Sequence, residues 1–221
     1  RCLSALLDAH RPALVICVGQ AGGRGAISLE RVAINVDDAP IADNAGARPI
    51  DAPVRPRAPA AYFTGLPIKA MLAELQAAGL AAEVSQTAGT FVCNHVFYGL
   101  MRTLATHRSL RHARGGFVHV PWLPEQGAPN MALDDIVRGL RLAVHTALRV
   151  RQDGALGAGL KTGPDLVLYP PWSILSWRRQ FGEEADPGMT RAAPLILLGV
   201  FSGLAAGVLI GADRPLHRVR G

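Results

Sequence analysis

Cys93 closes the segment Thr87-Ala88-Gly89-Thr90-Phe91-Val92-Cys93, which reads as a glycine turn feeding directly into a helix. At a helix start the first amides lack acceptors and the dipole is positive, so a thiol placed there is expected to favour its thiolate, the nucleophilic form. His119 ends the short apolar run Gly115-Gly116-Phe117-Val118 and is followed by Val120-Pro121, the setting of a residue at the C-terminal edge of a strand, where open α/β sheets build their sites. Glu30, opening Glu30-Arg31-Val32-Ala33, offers a carboxylate able to orient an imidazole and balance its charge. A thiol, an imidazole and a carboxylate so placed suggest a cysteine hydrolase.

Each of these residues also has a plainer reading. Cys2 and Cys17 are expected to be small buried hydrophobes, and Cys17 falls inside a core strand. Three cysteines without a metal or disulfide spacing suit a reducing compartment, which points to the cytoplasm, and no cleavable signal segment opens the chain. His95 follows Cys93 by two positions and therefore lies on another side of the helix, where it reads as a structural hydrogen-bonding residue. Sequence alone favours reading Glu30 as an ordinary helix- or strand-end carboxylate paired with Arg24 or Arg31, and only a family resemblance makes it a catalytic candidate. The Gly19 to Gly25 loop lacks the Lys-Ser/Thr of a phosphate loop and the dinucleotide spacing, so nucleotide binding is not expected. No metal or organic cofactor is implied. A net charge of +6 is spread over dispersed arginines without aromatic interleaving, which argues against a nucleic-acid partner.

These residues need a scaffold, and the chain supplies an alternation of strand and helix. Ala13 to Val18 reads as a buried strand, Arg31 to Val36 as a second, and the Asp-, Asn-, Gly- and Pro-rich stretch from Asp37 to Pro59 as a surface excursion. Pro67 suits the first turn of a helix ending near Ala78-Gly79, and Ala81 to Ser85 forms a strand. A helix from Cys93 to His107, a strand from Gly116 to Val120 and a helix from Met131 to Val150 follow. With 49% hydrophobic residues in 221, the core is sizeable. The pattern predicts a three-layer αβα domain over residues 1–150 with a largely parallel sheet, plus a C-terminal apolar helix.

Residues 151–221 have a different character. Gln152 to Pro164 reads as a glycine-rich linker, and Asp165 to Gln180, with Trp172 and Trp177, has the composition of a membrane-interface segment. Leu195 to Ala212 is apolar between Arg191 and Arg214 and, as a helix, barely reaches the roughly 30 Å of a hydrocarbon core. It reads either as a membrane contact or as unrelated sequence joined to the domain.

Gly19-Gln20-Ala21-Gly22-Gly23-Arg24, Glu30 to Asn35, Ala60 to Thr64, Leu66-Pro67, the Cys93 segment, Gly115 to Pro121 and Leu123-Pro124-Glu125-Gln126 occur in one order across about Ala13 to Val150. In this the chain resembles pyroglutamyl-peptidase I, a family of cytosolic thiol peptidases that remove N-terminal pyroglutamate from peptides. The resemblance implies Cys93 as nucleophile, His119 as base and Glu30 as the third member, with no cofactor. It places Gln20 as an amide-recognition residue and Phe91 beside the pyroglutamyl ring, and it implies pyroglutamyl peptides as partners and a homo-oligomer. The chain departs from the family at two points. The family's opening strand and its Gly-Phe-Glu-Pro-Phe-Gly-Gly loop have no counterpart, so part of the pocket wall is expected to be missing. Pro40 stands where the family usually has an arginine that helps hold the substrate or oxyanion, and proline offers neither charge nor N–H. An inactive remnant of a peptidase domain fused to a membrane segment is the alternative these departures suggest.

Overall fold

A computed structural model describes residues 2–153, 195–200 and 208–211. Helix α1 (Cys2–His10) leads into β1 (Leu14–Gln20), and β2 (Ile27–Glu30), β3 (Val32–Ile34) and β4 (Ala61–Phe63) follow. Then come α2 (Ile68–Ala77), β5 (Ala82–Ser85), α3 (Val92–Thr106), β6 (Arg114–Val120), α4 (Leu133–Arg149), β7 (Leu195–Val200) and β8 (Val208–Gly211). The main sheet has the order β5-β2-β6-β1-β7-β8, and β3 and β4 form a separate ribbon.

Side-chain alternation along the strands splits the core into two layers. Leu14, Ile16, Val18, Val118 and Val120 face α2 and α4, packing with Met71, Leu75 and Ala143. Val15, Cys17 and Phe117 face the other way, against Phe97, Leu100 and Leu104 of α3 and Leu7 of α1. The expected three-layer αβα arrangement is therefore present.

The expectation of a largely parallel sheet needs correction. β1 and β7 run parallel to each other and to β6, but β2 is antiparallel to β6, β5 follows β2, and β8 is antiparallel to β7. Three strands run each way. The 21–26 loop is too short for a crossover, which takes a dozen or more residues, so β2 must turn back.

The expected C-terminal apolar helix is also corrected, because 195–200 and 208–211 are strands. β7 pairs with β1 from Leu14↔Leu195 to Gly19↔Val200. Gly199, Gly203, Gly207 and Gly211 would each cost a helix about 1 kcal/mol relative to alanine, while the open edge of β1 offers a full ladder of backbone partners. A short apolar run is equally the signature of a strand buried in a parallel sheet. Among the described residues, no helix is long and apolar enough to cross a membrane. The linker and interface readings for 154–194 lie outside the described residues. Just before that region, the Asp153 carboxylate accepts from the backbone N–H groups of Lys69 and Ala70 (both 3.0–3.2 Å), capping α2 where Pro67 has no side-chain oxygen to offer.

Candidate active site

The turn before α3 is set by Gly89, whose φ of +82° is a conformation L side chains rarely adopt. From there the chain enters α3 with Phe91 as N-cap, and the helical ladder begins at His95 N–H, which donates to Phe91 C=O at 3.0 Å. Cys93 is thus in the first turn, and its own amide has no acceptor within the helix. The buried Asn94 fixes this helix end: Ile34 N–H donates to its Oδ1 (3.0 Å) and its Nδ2 donates to the carbonyls of Ile34 and Val36 (both 2.9 Å).

Cys93 lies over β1 at Gly19. A Cβ on Gly19 would stand 3.0 Å from Cys93 Sγ and 2.8 Å from Phe117 Cζ, so the absence of a side chain there makes room for the thiol. Gly19 is registered against His119 on β6, one strand spacing of about 4.8 Å away. His119 faces the same side of the sheet, its ring 4.8 Å from that of Phe117, and it is 3% exposed. Ser28 of β2 is registered against His119, and two residues further on Glu30 emerges on the same face. His119 Nδ1 is 2.7 Å from Glu30 Oε1. A carboxylate only accepts, so Nδ1 carries a proton, and in the neutral imidazole the lone pair is then on Nε2.

Glu30 is completely buried. Its Oε1 also accepts from Arg24 Nη1 at 2.9 Å, and Arg24 Nη2 donates to the Thr87 carbonyl at 3.0 Å. The two sequence readings of Glu30, as partner of the imidazole and as partner of Arg24, are both realised at one oxygen.

The expectation that the helix start would favour the thiolate is reversed. Burial, with the Glu30 carboxylate adding to it and Arg24 opposing, pushes the Cys93 thiol up from 9.0 to about 11. A helix terminus contributes about 0.3–1 kcal/mol, less than a tenfold change in acidity, and cannot offset a hundredfold change the other way. Cys17, fully buried as expected for a core cysteine, is pushed to about 12 by burial and then by Cys93.

Gln20 alternates with Gly19 and leaves β1 on the opposite face. Its carboxamide is matched to that of Gln126, donating to Gln126 Oε1 at 2.6 Å and accepting from Gln126 Nε2 at 3.1 Å. Phe91 is half-buried beside Cys93 and belongs to neither apolar cluster among the described residues. His95 Nδ1 lies 2.8 Å from Asp37 Oδ2 at the surface, in the hydrogen-bonding role expected of it. Pro40 is exposed, on a loop held against the α3 entry by Asp38 N–H donating to Thr90 C=O (2.7 Å) and Thr90 Oγ1 donating to Asp38 C=O (2.9 Å). Sequence reasoning missed Asn94 and the structural part played by Gly19, which carry no periodic signal. Arg24 was visible only as a candidate ion-pair partner.

A thiol at a helix start above an imidazole–carboxylate pair, on one face of an α/β sheet, defines the class of cysteine hydrolases. The family model described as pyroglutamyl peptidase matches residues 1–150. The chain belongs to the pyroglutamyl peptidase family. It is 63% identical over 156 residues to a pyrrolidone-carboxylate peptidase of Cupriavidus taiwanensis, a match covering 68% of this chain and 72% of the relative. It is 60% identical over 158 residues to pyrrolidone-carboxylate peptidase 1 of Ralstonia nicotianae, covering 69% and 73%. The crystal structure of pyroglutamyl peptidase I from Bacillus amyloliquefaciens superposes with a TM-score of 0.68 at 48% identity, covering 71% of this chain and 75% of that one. A pyrrolidone carboxyl peptidase from Pyrococcus furiosus gives 0.64 at 37% identity, covering 67% and 74%.

Proposed function

We propose that the chain is a cysteine exopeptidase that removes N-terminal pyroglutamate from peptides, with Cys93 as nucleophile, His119 as base and Glu30 as the residue that orients the base. The observation that carries this reading is the 2.7 Å contact of His119 Nδ1 with the buried Glu30, on the sheet face where Cys93 Sγ sits over Gly19. With the thiol protonated at neutral pH, His119 Nε2 takes its proton as Sγ attacks the pyroglutamyl carbonyl. The developing oxyanion is bound by the free Cys93 amide. Nε2 then gives the proton to the departing amine, leaving a thioester. Water attacks the thioester while Nε2 again accepts a proton, the C–S bond breaks as that proton returns to Sγ, and pyroglutamic acid leaves.

Selection for pyroglutamate requires a pocket sized to the lactam ring, with Phe91 as one wall and backbone groups reading its N–H and C=O. Gln20, paired with Gln126 and leaving β1 on the opposite face, is given no part in this mechanism. An odd count of three cysteines in the sequence supports action in the cytoplasm. The inactive-remnant alternative is disfavoured, because the thiol, imidazole and carboxylate are all present on one face of the sheet. The homo-oligomer implied by the resemblance is read out by sedimentation of the purified chain.

The test is hydrolysis of pyroglutamyl peptides, with matched peptides bearing N-terminal glutamine or proline as controls, by the parent and by Cys93→Ala. Release of pyroglutamate by the parent alone supports the reading. A folded parent that cleaves none of the three, or cleaves the controls equally well, contradicts it.

A further inference from the structure

Arg24 has no place in the mechanism above, yet it joins three parts of the site. It leaves the glycine loop after β1 and reaches the acid at the end of β2. Its Nη1 donates to the same Glu30 oxygen that receives His119 Nδ1 (2.9 and 2.7 Å), and its Nη2 donates to the carbonyl of Thr87, at the head of the turn that leads into Cys93. The other oxygen, Glu30 Oε2, is buried with no hydrogen-bond partner among the described residues. A buried carboxylate in that state relies heavily on the cation it has.

We propose that Arg24 is a positioning residue that sets both the charge balance and the aim of the Glu30–His119 pair, and that it locks this pair to the turn carrying the nucleophile. The inference rests on the peptidase reading for its kinetic consequences, though not for its electrostatic ones.

The other charged and titratable groups near Glu30 do not substitute for Arg24. His119 comes from β6, Cys93 from α3 and Cys17 from β1. Glu83 of β5 is tied to Ser28 Oγ at 2.7 Å and adds negative charge. On α3, His95 is engaged by Asp37. Next in the chain, Arg31 is half-buried and donates its backbone N–H to Ser85 C=O. The guanidinium also opposes the rise of the Cys93 thiol, so it acts on nucleophile and base together.

Removing the cation leaves the pair more strongly proton-binding. In Arg24→Met, the acid limb of kcat/KM is expected to move up by about one pH unit and kcat to fall about 10- to 100-fold with KM nearly unchanged. Arg24→Lys keeps the charge and is expected to return the acid limb to within a few tenths of the parent while recovering only part of kcat, because an ammonium cannot reproduce the two-armed contact to Glu30 and Thr87.

The second arm is the pH dependence of Cys93 alkylation by iodoacetamide, read by peptide mapping, which needs no substrate. Arg24→Met is expected to displace that curve to higher pH and Arg24→Lys to restore it. If the parent fails to release pyroglutamate but the alkylation curves separate as stated, the peptidase reading has failed and the role of Arg24 stands. Should Arg24→Met not fold, Arg24→Lys decides: an acid limb and alkylation curve near the parent's with reduced kcat support the proposal, and full parental kcat overturns it. Superimposable alkylation curves for folded Arg24→Met and parent also overturn it.

Discussion

Cys93 gains its position at the expense of its acidity. The contact that places Sγ over Gly19 also buries it beside Glu30, and the thiol stays protonated well above neutral pH. In the free protein the alkylation rate of Cys93 should therefore keep climbing through neutral pH and level off near 11; a plateau near pH 7 would instead indicate a preformed thiolate–imidazolium pair. The same burial makes stability depend on pH. Cys93 and Cys17 have folded-state values of about 11 and 12, above the ordinary 9.0, so the native state holds these protons more tightly than the unfolded chain. Their contribution is complete below pH 9 and is lost as pH rises through 11 to 12. Urea unfolding should show stability falling across that range in the parent and falling less steeply in Cys17→Ala, though that variant starts lower by about 1–2 kcal/mol for its cavity. Gly19→Ala puts a methyl 2.8 Å from Phe117 and 3.0 Å from Sγ, and activity should drop about 100-fold from misplacement of the thiol; activity within twofold of the parent would contradict the packing argument.

Among the elements, α3 does most of the positioning, and Asn94 is what ties its first turn to the β3 edge. Truncating it removes three buried hydrogen bonds and orphans backbone groups at Ile34 and Val36, so Asn94→Ala should cost about 2–4 kcal/mol in denaturant unfolding. Asn94→Asp, which keeps the acceptor for Ile34 N–H but loses both donors, should also destabilise. The long helices were legible because their apolar spacing is strong: expectations of 67–78, 93–107 and 131–150 compare with 68–77, 92–106 and 133–149 in the structure. The strand that carries Glu30 was not legible. Ile27–Glu30 alternates apolar and polar over only four residues, and that pattern would turn Ser28 and Glu30 to solvent although both are buried; its place was taken by a longer strand from Arg31 to Val36, of which Val32–Ile34 is β3 of the separate ribbon.

For the molecule as a whole, strand direction and the tail were the parts that composition could not settle. Direction depends on loop length and on partners far away in sequence. The fate of Leu195 to Val200 depended on an unfilled β1 edge that no local pattern reveals. Cys93 and His119 stood out as candidates because each lies near an element boundary and Glu30 only through the family resemblance, whereas Arg24 acts through a side-chain reach across three segments. Because β7 pairs along β1 from Leu14 to Gly19, ending the chain at Asp153 should expose that edge. The shortened protein should melt several degrees lower and self-associate in light scattering; unchanged melting and mass would mean that the edge does not depend on the tail.

The claim that everything else depends on is that Cys93 itself receives the pyroglutamyl group. Mixing the protein with a pyroglutamyl ester, quenching in acid during turnover and mapping the digested peptides by mass tests it directly. A pyroglutamyl thioester on the peptide containing Cys93, absent in Cys93→Ala, is the predicted result. Continued turnover by Cys93→Ala, or the acyl group on another residue, would contradict it.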